Sequence, residues 1–343
     1  MADLSSTNDR IGNEEELIAR MTEPSPEVTQ AVGKIDGDIM ILGIAGKMGI
    51  TLGELLVRAG AKGVIGVSRF SNPSDRDELE AKGIRTEKCD LTDDEGLRRL
   101  PESGHIVLMA GHKFGSTGNE SLTWAMNTLL PAKVMQRFPD SKIIYVSSGN
   151  VYRFTSPDSA GADESAPLAP IGEYAQSRLG GERLVEFYAE RNKTQVAIIR
   201  LFYATELRYG IVLDIAQNIW NRNPIDLGMG YVNQIWQGDA NAYLARCFPF
   251  CESPARVLNM TGTEVLSVRK LAGELGELMG VEPILKGEET PTALLGNTQA
   301  MVDLLGPPRV RSKDIIHWVS EWVKSEGRTL GKPTKYEARD GKF

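Results

Sequence analysis

The stretch Asp38–Gly60 reads DIMILGIAGKMGITLGELLVRAG. Its opening residues, DIMILGI, form a near-continuous apolar run, which fits a strand covered on both faces. Its closing residues, ITLGELLVRAG, fit a helix that Gly60 ends. Between them stand Gly43, Gly46 and Gly49, with Lys47 and Met48 in the same turn. Glycines let a backbone turn tightly and come close to a ligand. The start of a helix adds unpaired N–H groups and the positive end of its dipole. A strand, a glycine turn and a helix in this order predict a nucleotide-binding opening, with a pyrophosphate against the turn.

The alternation continues toward the C-terminus. GVIGVS (63–68) reads as a strand, NPSDRDELEAKG as a helix, IRTEKCD as a strand, TDDEGLRRL as a helix and HIVLMAG (105–111) as a strand. A long helix over about 119–137 leads to the strand KIIYVSS, and a second over about 172–191 leads to TQVAIIRL. Regular β–α alternation predicts the α/β class, a doubly wound parallel-sheet Rossmann domain over 37–200. Past Arg200 the alternation loosens, and residues 201–330 read mainly as a smaller α/β C-terminal lobe with interleaved returns to the sheet. In its last helix Ile315, Trp318, Val319, Trp322 and Val323 share one face. Residues 1–36 read as an N-terminal helical arm, with Ser25 and Pro26 as a helix start. The tail 331–343 is polar and is expected to be loosely ordered.

Composition narrows the function. The chain has 343 residues, with 39 Lys and Arg against 46 Asp and Glu, a net charge of −7. That acidic balance argues against nucleic acid as a partner, which would call for a basic stripe. No apolar run approaches the roughly 20 residues of a membrane span. The first residues are acidic and carry no secretory apolar segment, so a cytoplasmic protein is expected. Three cysteines and three histidines predict neither a disulfide framework nor a metal site. Cys247 and Cys251 read as buried thiols.

The strand ends carry the remaining chemistry. NAD sites usually place a carboxylate at the end of the second strand to take the ribose hydroxyls. Here Ser68 and Arg69 stand there, and a guanidinium suits a 2′-phosphate, so NADP is favoured over NAD unless Arg69 is only a solvated surface residue. Asp90, followed by Leu91, could accept from an adenine amine or cap the next helix with Thr92. Twenty-six residues after Ser148, Tyr174 opens a long helix, and Arg178 lies four residues on, along the same face. His112 follows the fourth strand, where it could assist proton transfer or serve structure alone.

In this order the motifs resemble the extended short-chain dehydrogenases/reductases, the NAD(P)-dependent epimerase/dehydratase family, over roughly residues 38–325. Gly43, Gly46 and Gly49 match its glycine turn, and DLTD, with Asp90 and Leu91, its adenine-contact motif. LMAG, with Ala110 and Gly111, matches the segment lying against the cofactor. Asn127 matches the family's helix asparagine, Ser148 and Tyr174 its catalytic serine and tyrosine, and IIRLFYA, with Phe202, the segment lining nicotinamide and substrate. The resemblance implies hydride transfer at a hydroxyl or ketone of a sugar, sugar acid or nucleotide sugar, with Tyr174 as acid/base and Ser148 orienting the oxygen. It also implies that residues 201–330 bind substrate. A free tyrosine, with a pKa near 10, is a poor base at neutrality, and the family corrects this with a lysine.

This chain has Arg178 there, which keeps the charge but cannot shed a proton. It also has Tyr203 where the family usually has an asparagine touching substrate. His112, Asn150, Tyr203 and Arg208 are the substrate-side candidates. The resemblance further implies a homodimer through the helices near 119–137 and 172–191. A dehydrogenase or epimerase is therefore expected, and the alternative is a cofactor-binding redox sensor or structural protein that has lost the catalytic lysine.

Overall fold

The computed structural model describes residues 10–113 and 115–342, so the first nine residues of the arm and Phe343 lie outside the described residues. The helices are α1 (Glu14–Met21), α2 (Pro26–Val32), α3 (Gly49–Arg58), α4 (Pro73–Ala81), α5 (Asp94–Arg99) and α6 (Glu120–Trp124). The last runs through a π-helical turn (Ala125–Leu129) into α7 (Leu130–Arg137), so the expected long helix carries a bulge at its middle. There follow α8 (Gly172–Asn192), α9 (Ile211–Trp220), α10 (Gln237–Arg246), α11 (Val268–Met279), α12 (Gln299–Leu305) and α13 (Ser312–Lys324).

The central sheet uses β1 (Asp38–Leu42), β2 (Gly63–Ser68), β3 (Arg85–Lys88), β4 (His105–Leu108), β5 (Lys142–Ser148), β6 (Val196–Leu201) and a last strand Arg256–Met260. Across the sheet the order is Arg256–Met260, β6, β5, β4, β1, β2, β3, with every pairing parallel. The order reverses between β1 and β4, which opens a crevice at their C-terminal ends. Ile39, Met40, Ile41 and Leu42 of β1 are all fully buried, because helices cover both faces.

The arm joins two cores. Leu17 and Met21 of α1 pack into the C-terminal core with α9, α11 and α13, while Val28 and Val32 of α2 pack against the sheet. Ile315, Trp318, Val319, Trp322 and Val323 of α13 are buried on one face, as their spacing predicts.

The tail corrects an expectation. Residues 331–342 do not lie loose: Thr334 donates from its N–H and its hydroxyl to Asp214 Oδ2, at 2.7 and 2.5 Å, and Tyr336 is buried. Arg339 lies over the Phe154 ring and donates to Thr292 O at 2.7 Å. The polarity that reads as solvated instead supplies donors to a half-buried carboxylate and to loop carbonyls. Among the described residues no helix is long and apolar enough to cross a membrane.

Candidate active site

The turn after β1 is tight for steric reasons. Gly43 has φ +97°, and a Cβ there would stand 2.7 Å from Ala110 N. A Cβ on Gly49 would stand 2.3 Å from Ile44 O. Gly46 differs, since its Cβ would meet only Gly43 O at 3.2 Å and otherwise point into open space. Met48 caps α3 with no side-chain hydrogen bond. The turn is thus folded by Gly43 and Gly49 and left bare at Gly46, a cradle that a side chain would fill.

Behind the turn lies a cavity of about 190 Å³, lined by Gly43, Gly46, Lys47, Met48, Gly49, Ser148, Tyr174, Arg178, Phe202 and Tyr203 among others. Four strand ends and α8 therefore bring the turn and the expected catalytic residues together. Ser148 Oγ accepts from Asn150 N at 3.2 Å and donates to Asn150 Oδ1 at 3.1 Å, which fixes its rotamer. Arg178 Nη2 donates to Val146 O at 3.0 Å. Its Nε and Nη1 are buried without a hydrogen-bond partner. Space for the guanidinium depends on Gly111, where a Cβ would stand 3.0 Å from Nη1.

Burial alone would raise the Tyr174 phenol. The charges of Arg178 and Lys113, with the Ser148 hydroxyl, outweigh it, and the pKa falls below the ordinary tyrosine value. Tyr203 lacks such help: burial, with the carboxylates of Glu337 and Asp214 nearby, pushes its phenol up. Lys47 donates to Ala204 O at 2.7 Å and lies 4.0 Å from the centre of the Tyr209 ring. Burial, only partly opposed by Glu206, brings it down to about 7.

Other expected residues stand behind or outside the cavity. Asn127, in the π-helical turn, is fully buried, and its side chain accepts from His112 N at 2.8 Å and donates to His112 O at 2.9 Å and to Ser177 Oγ at 3.0 Å. It therefore holds the loop that follows β4. The His112 ring bonds Thr123 Oγ1 at 3.0 Å and does not line the cavity. Arg208 is not brought into the cavity either; it pairs with Glu206 and, at 2.8 Å, with Glu14 of α1. Asn150 and Tyr203 both line a small adjoining cavity that Arg339 closes from the tail.

At the other end, Ser68 is half-buried, Arg69 exposed and Leu91 buried. The Asp90 carboxylate accepts from Thr92 N and Thr92 Oγ1, at 3.0 and 2.7 Å, but the helix cap is Asp93. Ala110 N donates to Leu42 O at 2.9 Å, which sets the floor of the crevice. Cys247 and Cys251 are buried thiols with pKa values raised by burial.

Sequence reasoning missed Lys113 and Tyr209, which also line the cavity. The one signal for Lys113 was its place as the first cation after the fourth strand.

Residues 39–205 match the family model described as the NAD dependent epimerase/dehydratase family. No curated protein matches the sequence. Among solved structures, the epimerase Mth375 of Methanothermobacter thermautotrophicus is 20% identical, with 89% of this chain and 97% of that one covered and a TM-score of 0.72. The dTDP-glucose 4,6-dehydratase DesIV of Streptomyces venezuelae, solved with NAD, is 20% identical over 84% of this chain and 97% of its own, with a TM-score of 0.70. The UDP-glucose 4-epimerase of Thermus thermophilus, also with NAD, is 18% identical over 85% and 99%, with a TM-score of 0.69. At these identities the likeness establishes the fold.

Proposed function

We propose that the chain, whose residues 39–205 match the model of the NAD dependent epimerase/dehydratase family, is an enzyme of the oxidoreductase or isomerase type that oxidises or reduces a hydroxyl or ketone of a sugar, sugar acid or nucleotide sugar with Tyr174 as acid/base. The observation that carries this reading is the Tyr174 phenol, buried beside Ser148 between two cations that hold its pKa down.

A nicotinamide bound in the cavity supplies a hydride acceptor or donor at the substrate carbon. The residues present fit it: a bare Gly46 for the pyrophosphate, and two buried unpartnered donors on Arg178 for ribose hydroxyls. Ser148, fixed by Asn150, holds the substrate oxygen. The Tyr174 phenolate takes the hydroxyl proton as the carbon–oxygen double bond forms, and the phenol returns it in the reverse direction. Phe202 and Tyr203 line the cavity beside Tyr174. Asn150 and Tyr203, which also line the adjoining cavity, are the substrate-side residues of this reading.

Ser68 and Arg69 at the end of β2 support NADP over NAD. A homodimer through α6, α7 and α8 is part of the same reading, supported by Leu122, Trp124, Leu129 and Phe187, which stand 38–53% exposed on those helices and the turn that joins them. The arginine at position 178 favours one rival, a cofactor-binding sensor without turnover. Nicotinamide absorbance in the purified protein, followed against a panel of sugars, sugar acids and nucleotide sugars, separates them. Cofactor that is consumed means a dehydrogenase, and cofactor that cycles means an epimerase. Bound cofactor that no substrate changes removes the enzymatic reading.

A further inference from the structure

We propose that Lys113 is a second activating cation for Tyr174, a positioning residue that sets the phenolate from the loop after β4 while Arg178 does so from α8. The proposal rests on Tyr174 being the acid/base. Lys113 Nζ lies 5.7 Å from the centre of the Tyr174 ring and 5.5 Å from that of Tyr203, so the ammonium sits between the two rings inside the cavity.

Its place is built rather than incidental. The preceding residue, His112, has both backbone polar groups held by the Asn127 side chain. Asn127 also donates to Ser177 Oγ, and Ser177 Oγ donates to Tyr174 O at 2.8 Å. A continuous line of hydrogen bonds thus registers the Lys113 loop to the helix that carries Tyr174. The π-helical turn is where Asn127 enters that line.

The lysine adds a second positive charge beside the phenol, from an element other than α8. The groups facing Lys113 are Tyr174 and Arg178 from α8, Asp214 from α9, the Tyr203 ring, and Lys47 from the glycine turn. Burial lowers the Lys113 pKa most, Tyr174 and Asp214 oppose the fall, and Arg178 adds to it.

The test is the ultraviolet titration of Tyr174 in the protein without substrate, read as the difference between parent and Tyr174→Phe. Lys113→Met should raise the Tyr174 pKa by about one unit, the lower end of the shift expected from a nearby charge. Lys113→Arg should restore it, and Lys113→Gln provides a second neutral variant if the methionine fails to fold. An unmoved titration in a folded neutral variant overturns the proposal. So does loss of NAD(P) affinity without a titration shift, which would make Lys113 a cofactor ligand only. Unchanged turnover in Tyr174→Phe would instead remove Tyr174 as acid/base, a separate result that the titration does not produce.

Discussion

The Arg178 guanidinium carbon lies 5.9 Å from the centre of the Tyr174 ring, one helical turn along α8, with Nη2 anchored on Val146 O. At about 6 Å and an effective dielectric of about 20, a unit charge contributes about 3 kcal/mol. That charge favours the phenolate and works against the burial of the ring. Arg178→Lys keeps the charge and should retain measurable turnover. Arg178→Met should lose about a hundredfold or more, the scale of a disabled general base, and its pH–rate profile should move to higher pH. Tyr174→Phe should lose still more while binding cofactor like the parent. Steady-state rates across pH on a substrate found by the panel check all three, and parental rates in both Arg178→Met and Tyr174→Phe would place the chemistry elsewhere.

Gly46 is the one glycine of its turn whose added Cβ would meet a single backbone atom, Gly43 O at 3.2 Å, and otherwise open space. A branched side chain there fills the volume a pyrophosphate needs while leaving Gly43 and Gly49 to fold the turn. Gly46→Val should abolish nicotinamide binding by calorimetry and keep a parental circular dichroism spectrum. Unchanged affinity would remove the pyrophosphate from this turn.

Much of this site is legible in the primary structure, and the reason is local. The glycine turn, the end of β5 and the first two turns of α8 place their residues by short-range geometry, so Gly46, Ser148, Tyr174 and Arg178 all line one cavity. What escapes the sequence is tertiary. Arg208 reads as a substrate candidate, but its partner Glu14 stands 194 residues away on α1. Asn127 reads as a cofactor contact, and its side chain also clamps a loop 15 residues before it, which no local pattern signals. Lys113 depends on that clamp, so no spacing rule points to it. The tail reads as loose because its anchors, Asp214 and Thr292, belong to other segments.

Arg69 is exposed at the end of β2, and its charge helps lower the Asp90 carboxyl, after the hydrogen bonds from Thr92. A charge-assisted contact to a 2′-phosphate contributes about 1.5–3 kcal/mol. Arg69→Ala should therefore weaken NADP by roughly ten- to a hundredfold and leave NAD almost unchanged. Calorimetric titration with both cofactors decides it, and an equal loss for the two would remove the preference for NADP.

Leu129 is 51% exposed in the π-helical turn and Phe187 is 53% exposed on α8, a combination that a water-facing helix pair does not need. If the two long helices form a dimer interface, a charge placed at its centre must be buried unpaired. Leu129→Asp and Phe187→Asp should each shift the mass measured by light scattering at micromolar concentration from dimer to monomer. A parent that already scatters as a monomer would end the dimer proposal.

Asp239 is buried on α10, where its Oδ2 accepts from Val310 N at 2.9 Å. Burial, opposed by the Val310 and Arg309 amides and the Arg309 charge, pushes its carboxyl up to about 6 from an ordinary 3.8. Below the ordinary value both folded and unfolded chains hold the proton and the group is neutral to folding. As pH rises toward 6 the unfolded chain releases the proton first, so the folded state loses stability over that window and the loss is constant above it. A shift of about two units sets a ceiling of about 3 kcal/mol. Asp239→Asn keeps one acceptor for Val310 and removes the titration. Relative to the parent, its urea-unfolding free energy should rise by about 1–3 kcal/mol between pH 4 and pH 7. A difference that stays flat across that range would mean that Asp239 ionises in the folded protein as easily as in the unfolded one.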